Sequence, residues 1–437
     1  MNNYSYESQY ITKLFETNHQ QFAEWFGYYN YDTLSTDGKK MLCNRASFDG
    51  RAITDEDTIE LGYYHIETGE WCHIDTTDSF NWQQGAMLQW IPSKENWVAY
   101  NFSDKKQFKS ALYNIETGEK KIIDFPIYGL TPDGRYSISL NYERSYWCRA
   151  YHYQPIQNPQ YDVQVAEDDG VFLVDLEKNS VKRLISIQDI ISVSAEKDFA
   201  GAKHWLEHIM VSPNGKRIAF LHRYTLGDGY RTRLMLSDID GGNLQAIPGW
   251  NNFEWSHFGW QGDDAFAIYS VKRSNVMSAY SKSVQTNIGI KTKLVRFARK
   301  LIKPLLPNRM MKKIHTSESY YQYYVWEDAG FVLKADFNDP MFSIDGHPTF
   351  IGENYMLTDT YPNHDLYQCL LIYNVHTGNC LKLGDFYAPF KGNPASCDLH
   401  PKVSRDGQYV VVDTAHTGIH NMVVFKINWE KIKEVTQ

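Results

Sequence analysis

The feature that most constrains the fold of this chain is a four-residue turn that recurs along it. The turn reads Ser-Thr-Asp-Gly, Thr-Pro-Asp-Gly, Ser-Pro-Asn-Gly or Ser-Arg-Asp-Gly, and each copy separates a short strand from an alternating one, as in a β-hairpin. The closing glycine supplies the positive φ that such a turn requires. Counting three weaker copies, the turns begin at Ser35, Pro92, Thr131, Ser212, Gln261, Ile351 and Ser404.

A second series of turns alternates with the first. These turns begin at Glu67, Glu116, Glu177, Asp240, Glu327 and His376. Together the two series divide the chain into seven four-stranded units of about 40–60 residues, a period typical of β-propellers. The units alternate with period two, as in Arg217–His222, so stacked helical repeats are excluded. We therefore predict an all-β, seven-bladed β-propeller that forms a single domain over residues 1–437.

The last unit is one strand short. Its third strand is predicted at Asn421–Ile427, and few residues follow it. The fourth strand must come either from the beginning of the chain or from Glu430–Val435. At the beginning, the apolar side chains of residues 10, 14 and 15 are spaced for one face of a helix, which predicts a helical N-terminal extension.

Two insertions interrupt the repeat: residues 143–170 between strands of blade 3, and residues 274–320 in blade 5. Within the second, residues 291–313 carry nine lysines and arginines and no acid, in a chain of net charge −8. Projected as a helix, 291–303 has one apolar and one basic face, which suits an anionic membrane surface. The alternative is a helix docked on the propeller with a solvated basic face. Nucleic acid is not expected, because the rest of the chain is strongly acidic.

Location is predicted from what the sequence does not contain. The first fifteen residues are polar and include no apolar signal-peptide core, and no apolar run approaches the length of a membrane span. The six cysteines have no metal-binding spacing and resemble reduced, buried thiols. We expect a cytoplasmic protein, peripheral at the inner face of the membrane if the basic helix binds there.

Histidine recurs at one position of the repeat. Four residues before the first turn, blades 4 to 7 carry His208, His257, His347 and His400. Only 15 of the 437 residues are histidine, so four at one repeat position are not a consequence of composition. The corresponding residues of blades 1 to 3 are Tyr31, Leu88 and Ile127. Because the first strand of each blade lines the central channel, the histidines are predicted to form a ring suited to a metal or an anionic ligand.

Further polar residues are predicted at the rim of the same basin. The second strands return to that end of the propeller, and residues before the first strand of blade 2 also lie there. Trp82, Gln83 and Gln84 would hold a sugar ring, or else form an aromatic plug whose amides bond the backbone. The predicted substrate-binding residues are Arg45, Trp82, Gln83, Gln84, His204, His208, His222, Arg223, Tyr361 and His416.

Several of these segments carry a resemblance to a known family. Glu207–His222, Arg233–Gly241, Ser256–Trp260, and the His-Pro pairs at 347–348 and 400–401 resemble the oligogalacturonate lyase family. From about residue 20 to 430 the chain is more closely similar to uncharacterised lyase-like propellers of bacterial polysaccharide gene clusters, which share the Asn-Trp-Gln-Gln-Gly motif at 81–85.

The resemblance implies a polysaccharide lyase that cleaves a uronic-acid-containing oligosaccharide by β-elimination. It assigns the base to His257, an assisting arginine to Arg233, and metal ligands to His347 and His400. Removing the proton next to a carboxylate builds up negative charge, which a cation or an arginine stabilises.

The expected metal shell of this chain departs from the family. Where the family has a glutamine and a histidine, this chain has Ala395 and Asp398. Asp398 suits a hard divalent metal such as Mn²⁺ or Ca²⁺, whereas Ala395 offers no ligand. An enzyme that works with arginine and histidine alone is therefore the alternative.

Two other functions remain open. A glycoside hydrolase would need a pair of carboxylates, for which Asp398, Asp413 and Glu207 are the candidates. A non-catalytic propeller would bind sugar or act as a scaffold for membrane-associated polysaccharide synthesis. A peptidase is excluded, because the sequence contains no Gly-x-Ser-x-Gly elbow.

Overall fold

The computed structural model contains seven four-stranded antiparallel sheets. It describes residues 8–17, 21–149, 153, 156, 163–227, 229–273, 319–328 and 330–437. Each sheet is one blade, and blades 1 to 6 are each built from four consecutive strands. The prediction of an all-β, seven-bladed propeller is confirmed.

Twenty-eight strands make up the blades. The first thirteen are β1 (Ile11–Glu16), β2 (Ala23–Trp25), β3 (Lys40–Ala46), β4 (Ile59–His65), β5 (Trp71–Thr77), β6 (Gln89–Trp90), β7 (Trp97–Ser103), β8 (Phe108–Asn114), β9 (Lys120–Ile123), β10 (Gly129–Leu130), β11 (Tyr136–Ser139), β12 (Gly170–Asp175) and β13 (Ser180–Ser186). The remainder are β14 (His204–Val211), β15 (Arg217–Leu226), β16 (Gly229–Asp238), β17 (Gln245–Ala246), β18 (Phe253–Gln261), β19 (Ala265–Lys272), β20 (Ser319–Glu327), β21 (Gly330–Phe337), β22 (Thr349–Ile351), β23 (Tyr355–Asp359), β24 (Tyr367–Asn374), β25 (Cys380–Tyr387), β26 (Lys402–Val403), β27 (Tyr409–Thr414) and β28 (Asn421–Ile427).

In the part of the chain that the structure describes, the helices are short and lie in connections or, for the last one, after the final strand. The α-helices are α1 (Tyr142–Arg149), α2 (Ile187–Ser192) and α3 (Trp429–Thr436), and 3₁₀ turns occupy Lys197–Phe199 and Pro340–Ser343. Within the described residues, no helix combines the length and apolar character that crossing a membrane requires.

Blade 7 is completed by the beginning of the chain. Its sheet runs β26, β27, β28, β1, and Ile11 of β1 pairs with Ile427 of β28 in antiparallel register. The first of the two predicted ways to complete the last unit is therefore confirmed, whereas Glu430–Val435 lies in α3. The predicted helical N-terminal extension is wrong over β1, because those residues gain their hydrogen bonds from β28 instead of from a helix.

The recurring first turns share one geometry. In the turns that close at Gly38, Gly134, Gly215 and Gly407, the glycine N–H donates to the carbonyl of the turn's first residue at 2.8 Å. The four φ angles are +64° to +71°, a region that favours glycine. Gly134, Gly215 and Gly407 also lie close to the preceding blade, so that an added Cβ would clash with it. A Cβ on Gly134 would lie 2.1 Å from the oxygen of Pro92.

The two ends of the propeller differ in their connections. The turn end holds both series of tight turns. The loop end holds the links from second to third strands and those from blade to blade. The insertion in blade 3 begins there with α1, between β11 and β12. The basic insertion lies between β19 and β20, and its segment 291–303, with the predicted membrane contact, is outside the described residues.

Candidate functional site

Four histidines form an arc at the centre of the propeller. His208, His257, His347 and His400 lie on the innermost strands of blades 4 to 7 or just before them. The ring centroids of His208 and His257 are 5.4 Å apart, and those of the next two pairs along the arc are each 4.2 Å apart. All four residues are at most 8% exposed. The repeat position thus brings together the histidines that the sequence predicts to meet.

The backbone around the arc is shaped to aim these side chains. His208 and His400 have φ angles of +55° and +42°, a left-handed conformation that costs a non-glycine residue about 1–3 kcal/mol. The pairing of β14 and of β18 also shifts register, between Glu207 and Met210 and between Trp255 and Phe258. Such bulges redirect side chains and occur often beside functional sites.

Two buried carboxylates orient the two central histidines. The Nδ1 of His257 lies 3.3 Å from Asp345 Oδ1. The Nδ1 of His347 lies 2.9 and 3.0 Å from the two oxygens of Asp359, which also accepts the backbone N–H of His400 at 3.1 Å. Because each Nδ1 faces a carboxylate, Nε2 is the nitrogen left to bind a metal or accept a proton.

The donor set of a metal site lies at one end of the arc. His347, Asp398 and His400 each offer one ligand atom, and these atoms lie within 4.8 Å of one another. Burial raises the pKa of the Asp398 carboxyl to about 7; His347 opposes that shift, and Asp359 adds to it. Two imidazoles and a carboxylate are a donor set that binds divalent transition metals. The residues therefore fit a divalent metal ion, and the three predicted ligands do converge. The identity of the metal, Mn²⁺ or Ca²⁺, stays a prediction; two imidazoles suit a transition metal better than Ca²⁺, which prefers oxygen ligands.

An aromatic segment fills the space beside the histidines. Residues 26–31 leave blade 1 between β2 and β3. The ring of Tyr29 contacts three of the four histidines, with centroid distances of 5.1 to 6.2 Å, and its hydroxyl donates to the Phe258 carbonyl at 2.7 Å. Tyr28 contacts the fourth, His208, at 5.6 Å. Neither tyrosine is among the site residues predicted from the sequence, where their signal is the run Phe-Gly-Tyr-Tyr-Asn-Tyr.

One buried carboxylate holds this segment to blade 7. Asp413 accepts hydrogen bonds from the N–H groups of Phe26 and Gly27, at 3.1 and 2.8 Å, and from Lys402 Nζ at 2.7 Å. The Lys402 and Asp413 side chains are 1% and 3% exposed. Gly27 is required here, because it has φ +101° and a Cβ would lie 2.6 Å from the backbone of Gln84.

Three of the predicted substrate-binding residues lie near the arc. The ring of Tyr361 is 5.9 and 5.6 Å from two of the arc histidines. The Gln83 amide lies beside the carboxyl of Asp398, whose pKa it tends to lower. Gln84 donates to the hydroxyl of Tyr128 at 3.0 Å, and that tyrosine in turn contacts Tyr28. Their predicted contact with substrate stays a prediction.

Trp82 packs within an aromatic cluster between blades. Its ring lies 4.7 Å from Trp25 and 4.8 Å from His420, its Nε1 donates to the Arg51 carbonyl at 3.0 Å, and the residue is only 5% exposed. This arrangement matches the alternative of an aromatic plug more closely than a free platform for sugar.

Arg233 lies inside blade 4, and this corrects its expected place beside His257. Its Nε donates to His222 Nδ1 at 3.1 Å, and its two terminal nitrogens donate to the carbonyls of Val193 and Ile190 at 2.7 and 2.8 Å. The second nitrogen of His222 lies 2.9 Å from His204 Nδ1. Arg233, His222 and His204 therefore form a buried, hydrogen-bonded row. Their roles in catalysis or substrate binding stay predictions.

Arg223, one of the predicted substrate-binding residues, is connected to the arc through Glu207. It forms a 2.8 Å salt bridge with Glu207, whose carboxylate lies 3.5 Å from Nδ1 of His208. Trp205 Nε1 donates to the same carboxylate at 2.6 Å. Arg223 is 4% exposed, so its charge is balanced inside the protein.

Arg45 and His416 are engaged away from the arc, which corrects their expected convergence there. Arg45 pairs with Glu24 at 2.9 Å and lies 3.8 Å above the ring of Trp71. His416 Nε2 lies 3.3 Å from Glu16 on β1. Both side chains contribute to the packing around blades 1 and 7.

Fold and site together define a seven-bladed β-propeller with a cluster of histidines and aspartates at its centre. No protein-family model matches the chain, and no curated protein matches it by sequence. Among solved structures it is similar to oligogalacturonate lyase from Vibrio parahaemolyticus, with 14% identity, a TM-score of 0.61, and coverage of 97% of this chain and 95% of that one.

Two further structures are similar over nearly the whole chain. An oligogalacturonate lyase in complex with manganese has 13% identity and a TM-score of 0.61, with 98% of this chain and 96% of that chain covered. Hydrazine synthase from Kuenenia stuttgartiensis has 9% identity and a TM-score of 0.51, with 98% and 99% covered. At these identities the likeness shows the propeller fold, and it confirms the predicted resemblance to lyase propellers at that level.

Proposed function

We propose that this protein is a polysaccharide lyase-like enzyme that cleaves a uronic-acid-containing oligosaccharide by β-elimination. The observation that carries the proposal is the pair His257 and Asp345 beside the possible metal site. The ring centroid of His257 lies 4.2 Å from that of His347, one of the three metal-donor residues. The similar lyase bound to manganese supports a divalent metal at His347, Asp398 and His400.

His257 is suited to act as the base. Burial, together with the neighbouring His347, lowers the pKa of His257 to about 4 even though Asp345 opposes the shift. The imidazole is therefore neutral near pH 7. With its Nδ1 facing Asp345, its Nε2 lone pair is free to accept the proton on C5 of the uronate.

The bonds that form and break after this proton transfer complete the elimination. The C5–H bonding pair becomes the C4–C5 double bond through an enolate on the substrate carboxylate, the bond from C4 to the leaving oxygen breaks, and that oxygen takes up a proton. Bound by His347, Asp398 and His400, a divalent cation would withdraw charge from the carboxylate. Asp359 fixes the His347 ring in the orientation that this requires.

The test is a comparison of His257→Gln with wild-type protein on a panel of uronate oligosaccharides supplied with Mn²⁺. The assay follows the ultraviolet absorbance of the 4,5-unsaturated product. We expect the variant to lose activity by about 10²–10⁴-fold, the usual contribution of a general base. The matched control is His376→Gln, an exposed histidine in a second turn at the turn end, which should leave activity unchanged.

Other outcomes select the other candidate functions. Cleavage without a double bond would indicate a glycoside hydrolase, and saccharide binding without turnover would indicate a non-catalytic propeller. Cytoplasmic location and membrane attachment through 291–303 are part of the proposal, and sedimentation with anionic lipid vesicles tests the attachment.

A further inference from the structure

Two arginines meet at the loop end between blades 4 and 5, outside the arc of histidines. Arg231 lies near the start of β16, and Arg273 directly follows β19. Both approach the same carboxylate oxygen of Glu254 on β18, at 3.7 Å from Arg231 Nη1 and 3.3 Å from Arg273 Nε. Arg273 also donates from Nη1 to the carbonyl of Asn251 at 3.1 Å.

The pair has more donors than its neighbours satisfy. Among the residues that the structure describes, Nη1 of Arg231 and both Nε and Nη2 of Arg273 are buried nitrogens without a hydrogen-bond partner, and the first two reach Glu254 only as ion pairs. Burial lowers the pKa of Arg273; Glu254 opposes the shift, and Arg231 adds to it, as expected for two like charges that share one acid. Asp198 is a further acid close enough to act on Arg273. Buried donors without partners cost free energy, and a bound oxyanion would satisfy them.

The pair approaches the same strand that carries the proposed base. Glu254, which both arginines approach, precedes His257 by three residues on β18, about 10 Å along the strand. Both arginine side chains are partly open, at 26% and 17% exposure. The guanidinium group is planar and presents paired donors, which match the two oxygens of a carboxylate or sulfate.

We propose that Arg231 and Arg273 form a subsite for a second acidic group of the saccharide, next to the sugar that reacts at His257. The group is a sugar-borne oxyanion, either the carboxylate of a neighbouring uronate or a sulfate ester. The inference rests on the proposed function, because it takes the arc of histidines as the place of reaction. Glu254 holds the two guanidinium groups together between ligands.

The test is calorimetric titration with three probes: galacturonate, trigalacturonate and a sulfated uronate-containing tetrasaccharide. The proteins are wild type, Arg231→Gln, Arg273→Gln and the double variant. The matched control is Arg135→Gln, which removes the same charge at the turn end, beside a first turn. Circular dichroism and thermal unfolding establish that each variant is folded.

We expect the double variant to bind at least one of the two longer probes about 10- to 100-fold more weakly than wild type. Its affinity for galacturonate, and the affinities of the control variant for all three probes, should be unchanged. The probe that loses the most affinity identifies carboxylate or sulfate as the ligand group. If the double variant keeps wild-type affinity within about twofold for both longer probes, or if wild type binds neither, the subsite is refuted.

The outcomes separate this inference from the proposed function. Loss of trigalacturonate binding in the double variant, in a protein that forms no unsaturated product, would support the subsite and refute the lyase. Elimination that needs His257 but proceeds with the same KM in wild type and double variant would support the lyase and refute the subsite.

Discussion

Replacing Asp413 by alanine tests how the centre of the propeller is held together. Its carboxylate accepts three hydrogen bonds, two from the segment 26–31 and one from Lys402, in a region that is almost fully buried. The substitution leaves a buried ammonium without its counter-charge and two backbone N–H groups without an acceptor.

The expected loss of stability is about 3–5 kcal/mol, the usual effect of removing one partner of a buried ion pair. An unfolding entropy of about 2.1 cal/mol/K per residue corresponds to about 0.9 kcal/mol/K for 437 residues, so the midpoint temperature should fall by about 3–5 °C. Because Tyr29 depends on the same segment, binding at the histidines should weaken too.

The assay is urea unfolding of Asp413→Ala, Lys402→Met and the double variant. Removing both charges leaves no unpaired ammonium, so the double variant should be more stable than Asp413→Ala alone, with a coupling of about 2 kcal/mol or more. The reasoning is refuted if Asp413→Ala lies within about 1 kcal/mol of wild type, or if the two single effects simply add.

Two further predictions follow from the site and from the turns. Asp359→Asn should weaken Mn²⁺ binding by about 10–100-fold in a calorimetric titration, because His347 loses its orienting carboxylate. The control Asp385→Asn, on an outer strand, should leave Mn²⁺ affinity unchanged. Equal affinities of the two variants would contradict the role given to Asp359. Gly134→Ala should lower the free energy of unfolding in urea by more than Gly38→Ala. Both glycines have a positive φ, but only the Cβ added at position 134 would clash, with the Pro92 oxygen at 2.1 Å. Equal losses would show that backbone strain alone decides the effect.

The sequence predicted the parts of the structure that repeat. Turns ending at Gly38, Gly134, Gly215 and Gly407 need a positive φ, and glycine at these positions is itself the sequence signal of that local requirement. The histidines were found for the same reason, because a shared position in each blade becomes a shared position around one axis.

The parts it did not predict depend on contacts between distant segments. Nothing local distinguishes Tyr29 from a strand-packing tyrosine; its place is set by Asp413, almost four hundred residues later. Arg233 is expected beside His257, yet its donors bond the carbonyls of Ile190 and Val193, at the end of α2, and the imidazole of His222. The apolar spacing around β1 predicts a helix, because the residues that make it a strand, those of β28, lie at the other end of the chain.

The closure of blade 7 also has a consequence for how the protein is made. Ile11 cannot meet Ile427 until the ribosome has added more than four hundred residues, which takes about 20–80 s at ordinary elongation rates. Until then β1 has no partner strand, and its charged residues Lys13 and Glu16 limit pairing with other chains. Ring closure therefore cannot precede the synthesis of β28, and blades that fold before then form an open arc.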